Sequence, residues 1–253
     1  MIVNYTQQGW EIITQRAHGI LAAQLAAHWN KKDRPQRWTE TLLAIAEHDD
    51  AECELDGENL LTPQGGPLNF DMKVFELAHC QKLLDLLLTK SRYITLLTSM
   101  HMDFLYRKDL HKVAGAAHFL QQQQKFRLRL RGELGLTRQV AEKIYCFMEW
   151  FDACSLLLCR HQIPPEKRTT EISHGADGTK YLMFQSANQT LSITPWPFSA
   201  SAFTVQFESR LLSTIQFPDS AAFRKAFLVA PVKETVWNMK KVVPVIQPKT
   251  KKI

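Results

Sequence analysis

The stretch AIAEHDDAECELDG, residues 44–57, runs off the end of an apolar helix into one imidazole and two carboxylates, His48, Asp49 and Asp50. A helix that builds a core commonly ends in polar residues facing water, so one reading is a helix terminus entering an acidic loop. The other reading is half of a metal site, whose remaining ligands must come from elsewhere in the chain. The second reading dictates a fold, because other helices must gather around this helix end.

Working outward, further polar residues stand on apolar helical stripes. At about 100° per residue, His18 shares its face with Leu21, Ala22, Leu25 and Trp29, and His101 with Ile94, Leu97, Phe104 and Leu105. Asp152 lines up with Tyr145, Met148, Leu156 and Cys159. A carboxylate in such surroundings needs a cationic partner, because desolvating it alone costs several kcal/mol or more. No basic residue shares the Asp152 stripe; the other inward polar residues are largely histidines. One divalent cation satisfies His18, His48, Asp49, His101 and Asp152 together. Imidazole and carboxylate suit iron, manganese or zinc, as one or two ions, and so large a mixed set points away from closed structural zinc.

The rest of the chain reads as two unequal parts. Residues from about 9 to 161 carry helical spacing, with one helix following Ile13, Ala17, Ile20, Leu21 and Leu25 and a second fitting 38–47 after Arg34-Pro35. Further helices fit 75–89, 92–107, 110–132 and 137–160, and Thr137 is placed to cap the last. After Pro164-Pro165 the pattern alternates: TKYLMFQSANQTLSITPWPF reads as a hairpin, FTVQFESRLLS and FLVAPVKETVWNMKKVVPVI as strands, and SAAFRKAF as one helical turn. The expected fold is mainly α, an HD-domain-like helical bundle over residues 1–163, with a smaller β-rich C-terminal appendage over 164–253 packed on it (α+β overall).

Composition narrows the class. Hydrophobic content of 45% and charged content of 22% suit an ordinary globular protein. Of the net charge of +6, Lys240, Lys241, Lys249, Lys251 and Lys252 supply five, so the basic balance reads as a solvated tail in preference to a nucleic-acid-binding surface. Cysteines 53, 80, 146, 154 and 159 form no CxxC pair, which suits reduced thiols in the cytoplasm. The start, MIVNYTQQGWEIITQ, lacks a signal-peptide pattern, and the longest apolar cluster, 83–88, is too short to span a bilayer. No P-loop, dinucleotide fingerprint, GxSxG or HExxH occurs.

The order His18, His48-Asp49, His101, Asp152 resembles the HD-domain superfamily of helical metal-dependent phosphohydrolases. More closely, QRAHGILAAQLAAHW, AIAEHDD, GGPLNF, SMHMDFL and FDACSLLLC look like an uncharacterised bacterial domain-of-unknown-function family, over most of the chain. The HD-like pattern implies hydrolysis of phosphoester or phosphoanhydride bonds in a small metabolite or nucleotide. In that scheme Asp49 and Asp50 serve catalysis, Gln15, Arg107 and Lys108 bind substrate, and His18, His48, Asp49, His101 and Asp152 hold metal. The Gly-Lys pair that follows the doublet in many HD signalling enzymes is replaced here by Asp50-Ala51-Glu52. A reading from a different class is a degenerate HD-like protein that binds a ligand or partner without turnover.

Overall fold

Two strands come first, where a helix was expected to begin at residue 9. In the computed structural model, which describes residues 1–49, 54–57, 59–73, 76–107 and 114–242, Ile2–Thr6 (β1) and Gly9–Ile13 (β2) pair as an antiparallel hairpin with Val3 opposite Ile12. β2 also pairs antiparallel with Ala202–Leu212 (β6), with Trp10 opposite Leu212. The two ends of the chain therefore share one sheet. Its seven strands run β1-β2-β6-β7-β5-β4-β3, with β3 at Thr170–His174, β4 at Lys180–Ala187, β5 at Thr190–Thr194 and β7 at Val232–Lys240. All pairings are antiparallel except β5 with β7, where Leu191 meets Met239.

The helices are Gln15–Ala27 (α1), Trp38–Glu47 (α2), Leu77–Leu88 (α3), Arg92–Tyr106 (α4), Ala116–Leu134 (α5), Arg138–Cys159 (α6) and Ser220–Val229 (α7). Local chemistry starts most of them. The Thr14, Ser91, Thr137 and Asp219 side chains accept from backbone N–H groups of the first turns of α1, α4, α6 and α7. Helix and strand make up about 48% and 23% of the described residues. The expectation of a mainly α bundle with a small β appendage is thereby corrected: the molecule is built on a mixed, curled seven-stranded sheet that the helices flank. The reason is non-local. A β2–β6 edge joins residues about two hundred positions apart, and no local spacing announces it.

Alternation along β2 builds two cores. Ile13 joins Leu21, Leu25, Leu97, Phe151 and Leu158 from the helices and Met183, Ile193, Val205 and Phe207 from the sheet in one continuous apolar cluster. Ile12, one residue earlier, faces the other way and packs with Leu60, Leu212, Phe217, Phe223 and Phe227 under α7. On the free edge of β6, the Gln24 side chain of α1 both donates to and accepts from the Gln206 backbone, at 2.8 and 3.0 Å, which docks α1 onto the sheet.

Glu11 sits on the Ile13 side of β2, fully buried. It accepts from Lys233 Nζ at 2.9 Å, Ser209 Oγ at 3.1 Å and His161 Nε2 at 2.5 Å. Burial alone would raise its pKa; the His161 and Lys233 contacts outweigh that and bring it from 4.5 down to about 2. A depressed carboxylate stabilises the fold above its unfolded pKa, and that contribution disappears as pH falls from 4.5 through about 2. Glu11→Gln is therefore expected to cost about 1–3 kcal/mol in urea denaturation at neutral pH, since Lys233 and His161 can turn to solvent. The deficit should vanish at acid pH. An unchanged deficit at low pH would assign the loss to packing instead.

Candidate metal centre

His18 leaves α1 fully buried, His48 closes α2 as its C-terminal cap, His101 comes from the second half of α4 and Asp152 from the middle of α6. Asp49 follows His48 directly. What lets α1 and α2 come this close is Gly19: a Cβ built there would lie 2.4 Å from the Ala46 carbonyl oxygen. Gly19→Ala is thus expected to push the helices apart, costing about 1–3 kcal/mol by urea denaturation and separating His18 from His48. Wild-type stability in this variant would show that the contact is not needed.

The five side chains meet. His48 Nε2 lies 3.3 Å from Asp152 Oδ1 and 3.4 Å from Asp49 Oδ2. His18 Nε2 is 3.4 Å from Asp49 Oδ2 and 3.8 Å from Asp152 Oδ1, and His101 Nε2 is 3.9 Å from Asp152 Oδ2. The His48 ring stands edge-on between those of His18 and His101, with both centroid distances 5.0 Å. Two triads, His18/His48/Asp152 and His48/Asp49/His101, each bring one ligand atom per residue within 4.8 Å of the others.

Outer contacts set the tautomers. The Ser155 hydroxyl donates to the Asp152 carbonyl at 2.9 Å, so it accepts from His18 Nδ1–H at 2.8 Å. His48 Nδ1–H donates to the Ile45 carbonyl at 2.7 Å, and His101 Nδ1 meets the Tyr145 hydroxyl at 3.3 Å. For His18 and His48 this leaves Nε2 as the nitrogen facing the carboxylates, with His18 Nε2 in hydrogen-bond contact with Asp49 Oδ2. His48 Nε2 is buried and makes no hydrogen bond. An Nε2 aimed at two carboxylates needs a positive charge there, a proton in the metal-free protein or a divalent cation in its place, with the His18 and His48 imidazoles oriented through their second nitrogen.

Electrostatics carry the same demand. Burial alone would make His48 hard to protonate, yet Asp49 and Asp152 outweigh it and raise its pKa to about 10 in the metal-free protein. Desolvation pushes Asp49 and Asp152 upward, but the histidines, His48 foremost, hold both below the usual carboxylate range. Burial lowers His101.

A cavity of about 280 Å³ opens on the cluster, with Asp49, His101 and Asp152 in its wall. Gln15 is also in that wall; its Nε2 donates to Asp49 Oδ2 at 2.9 Å, and its Oε1 is buried with no hydrogen-bond partner. Arg107 is exposed, pairs with Asp103 and does not line the cavity. Asp50 and Lys108 lie outside the described residues. Sequence reasoning missed Lys73, Glu54 and Glu76 in the wall, and Ser155 behind His18. Ser155 was findable, being one turn beyond Asp152 on the same face; Lys73 sits in an irregular segment with no periodicity to expose it.

Among the described residues no helix is long and apolar enough to cross a membrane. Neither curated proteins nor solved structures yield a match to this sequence. The model of one family does match, over residues 1–214, and the chain belongs to that family, described as "Protein of unknown function (DUF3891)".

Proposed function

We propose that this protein is a metal-dependent hydrolase holding one divalent cation, iron, manganese or zinc, on His18, His48, Asp49, His101 and Asp152. The observation that carries the reading is the buried, unbonded Nε2 of His48 aimed at two carboxylates. Both triads use His48, and an imidazole nitrogen has one lone pair, so they describe parts of one ion's shell. Such a cation, when bound, supplies Lewis acidity and a water acidified toward neutrality.

The chain's own groups do the rest. Asp49, with its pKa held low, is suited to ligation and orientation, and Gln15 holds it in place through Nε2. The free Oε1 of Gln15 offers an acceptor that orients a donor in the cavity. Phosphoester or phosphoanhydride bonds of a small metabolite or nucleotide are the substrates that the HD-like ligand order suggests, with Lys73 on the cavity wall to meet the phosphate. The free thiols of Cys80, Cys146, Cys154 and Cys159 support a cytoplasmic setting for this chemistry.

One observation favours a second reading, ligand binding without turnover. Glu54, Asp71 and Glu76 share the wall with Lys73, and so acidic a lining offers little to stabilise a phosphoryl transition state. Chelator-treated protein reloaded with Fe(II), Mn(II) or Zn(II) and assayed on p-nitrophenyl phosphate, its bis ester and nucleoside triphosphates separates the two. Turnover that needs metal and is lost in His48→Ala is expected. A metal-loaded protein inert toward all of them would leave the second reading standing.

A further inference from the structure

A larger cavity, about 780 Å³, opens between the segment after α1, the first half of α6 and the turn joining β3 to β4. It shares no lining residue with the cavity at the His/Asp cluster. Its volume falls within the range of small-molecule sites, about 300–1,000 Å³. The floor is aromatic. Trp29 meets Phe147 and Trp150 edge to face at 5.0 Å each, and Trp150 meets Tyr181 at 5.2 Å.

Two features mark this cavity. Trp29 and Trp150 are only 7% and 1% exposed, yet neither indole N–H reaches a hydrogen-bond acceptor. Buried indoles normally have one. The charge also leans basic: Lys32, Arg34, Arg37 and Lys143 line the cavity beside Asp33 and Asp177. Arg34 is engaged by the Ala27 and Trp29 carbonyls, and Arg37 by Glu40 at 2.9 Å. Lys32 and Lys143 are exposed and form no ion pair within 4.0 Å among the described residues.

We infer that this cavity is a second binding site, for a small organic anion with a flat apolar body. The body lies over the aromatic floor, beside the buried indoles of Trp29 and Trp150, and its carboxylate or phosphate faces Lys32 and Lys143. Basic side chains at the rim of an apolar floor are the few polar groups by which such pockets orient a ligand. The site needs no metal and stands independently of the hydrolase reading.

The test uses ¹⁵N-labelled, metal-free, full-length protein titrated with 1-naphthoate, 1-naphthyl phosphate and neutral 1-naphthol. Trp29→Phe and Trp150→Phe assign two of the six indole N–H signals. Both signals should move on saturation with at least one anion, which binds about tenfold or more tightly than naphthol, and the tighter anion names the headgroup. The double variant Lys32→Glu/Lys143→Glu, at two exposed positions, should weaken that anion about tenfold or more. It keeps the proposal testable if a tryptophan variant fails to fold. The proposal is overturned if naphthol binds as well as the anions, if only other indoles respond, or if the lysine variant binds unchanged.

Discussion

Replacing Asp152 with alanine is expected to empty the metal centre and to cost the metal-free fold about 3 kcal/mol. The carboxylate is almost fully buried and stands 3.3 Å from His48 Nε2, with His18 and His101 within 3.9 Å. Removing it leaves His48 with Asp49 as its one remaining carboxylate among the described residues, and the ion loses the ligand that spans all three histidines. Elemental analysis of protein reloaded with Mn(II) or Zn(II) should give about one ion per wild-type chain and less than about a tenth of that in the variant, since losing a carboxylate ligand raises Kd by well over tenfold. Asp152→Asn keeps the volume and should lose the metal with a smaller loss of stability, which separates ligation from packing. Equal metal in wild type and both variants would remove the basis of the centre.

The second large effect is on pH, and it differs between the two forms of the protein. In the metal-free protein the pKa of His48 is raised from 6.5 to about 10, because Asp49 and Asp152 outweigh the cost of burial. A group raised on folding stabilises fully below its unfolded pKa and loses that contribution as pH climbs through the folded one. The metal-free melting temperature should therefore decline between pH 6.5 and about 10. A metal must displace the same proton, so its Kd should fall about tenfold per pH unit over that window. The gap between metal-loaded and metal-free melting curves should widen accordingly. Chelator-buffered Zn(II) titrations at several pH values measure both; a Kd independent of pH would mean that His48 is not displaced from its proton by the ion.

The cluster was legible because its members break local rules. His18, His101 and Asp152 stand on stripes of Leu, Ile, Met and Phe, and a polar residue there needs a partner wherever the helices happen to meet. The doublet at 48–49 was legible as a helix end, and it is one: His48 caps α2. Arg107 shows the limit of the same logic. Its nearness in sequence to His101 suggested a substrate contact, but one turn of helix carries it to the surface, where it pairs with Asp103.

The helix faces, the hairpin of β4 and β5 and the polar residues those faces carry were readable from residue order alone, since periodicity and turn chemistry act within a few residues of their cause. Long-range packing set the rest: the β1–β2 hairpin joins β6, Gly19 lets two helices approach, and Lys73 shares a wall with Asp49. Those are contacts between segments far apart in the chain, selected by which apolar surfaces bury each other best, and no local pattern encodes that choice.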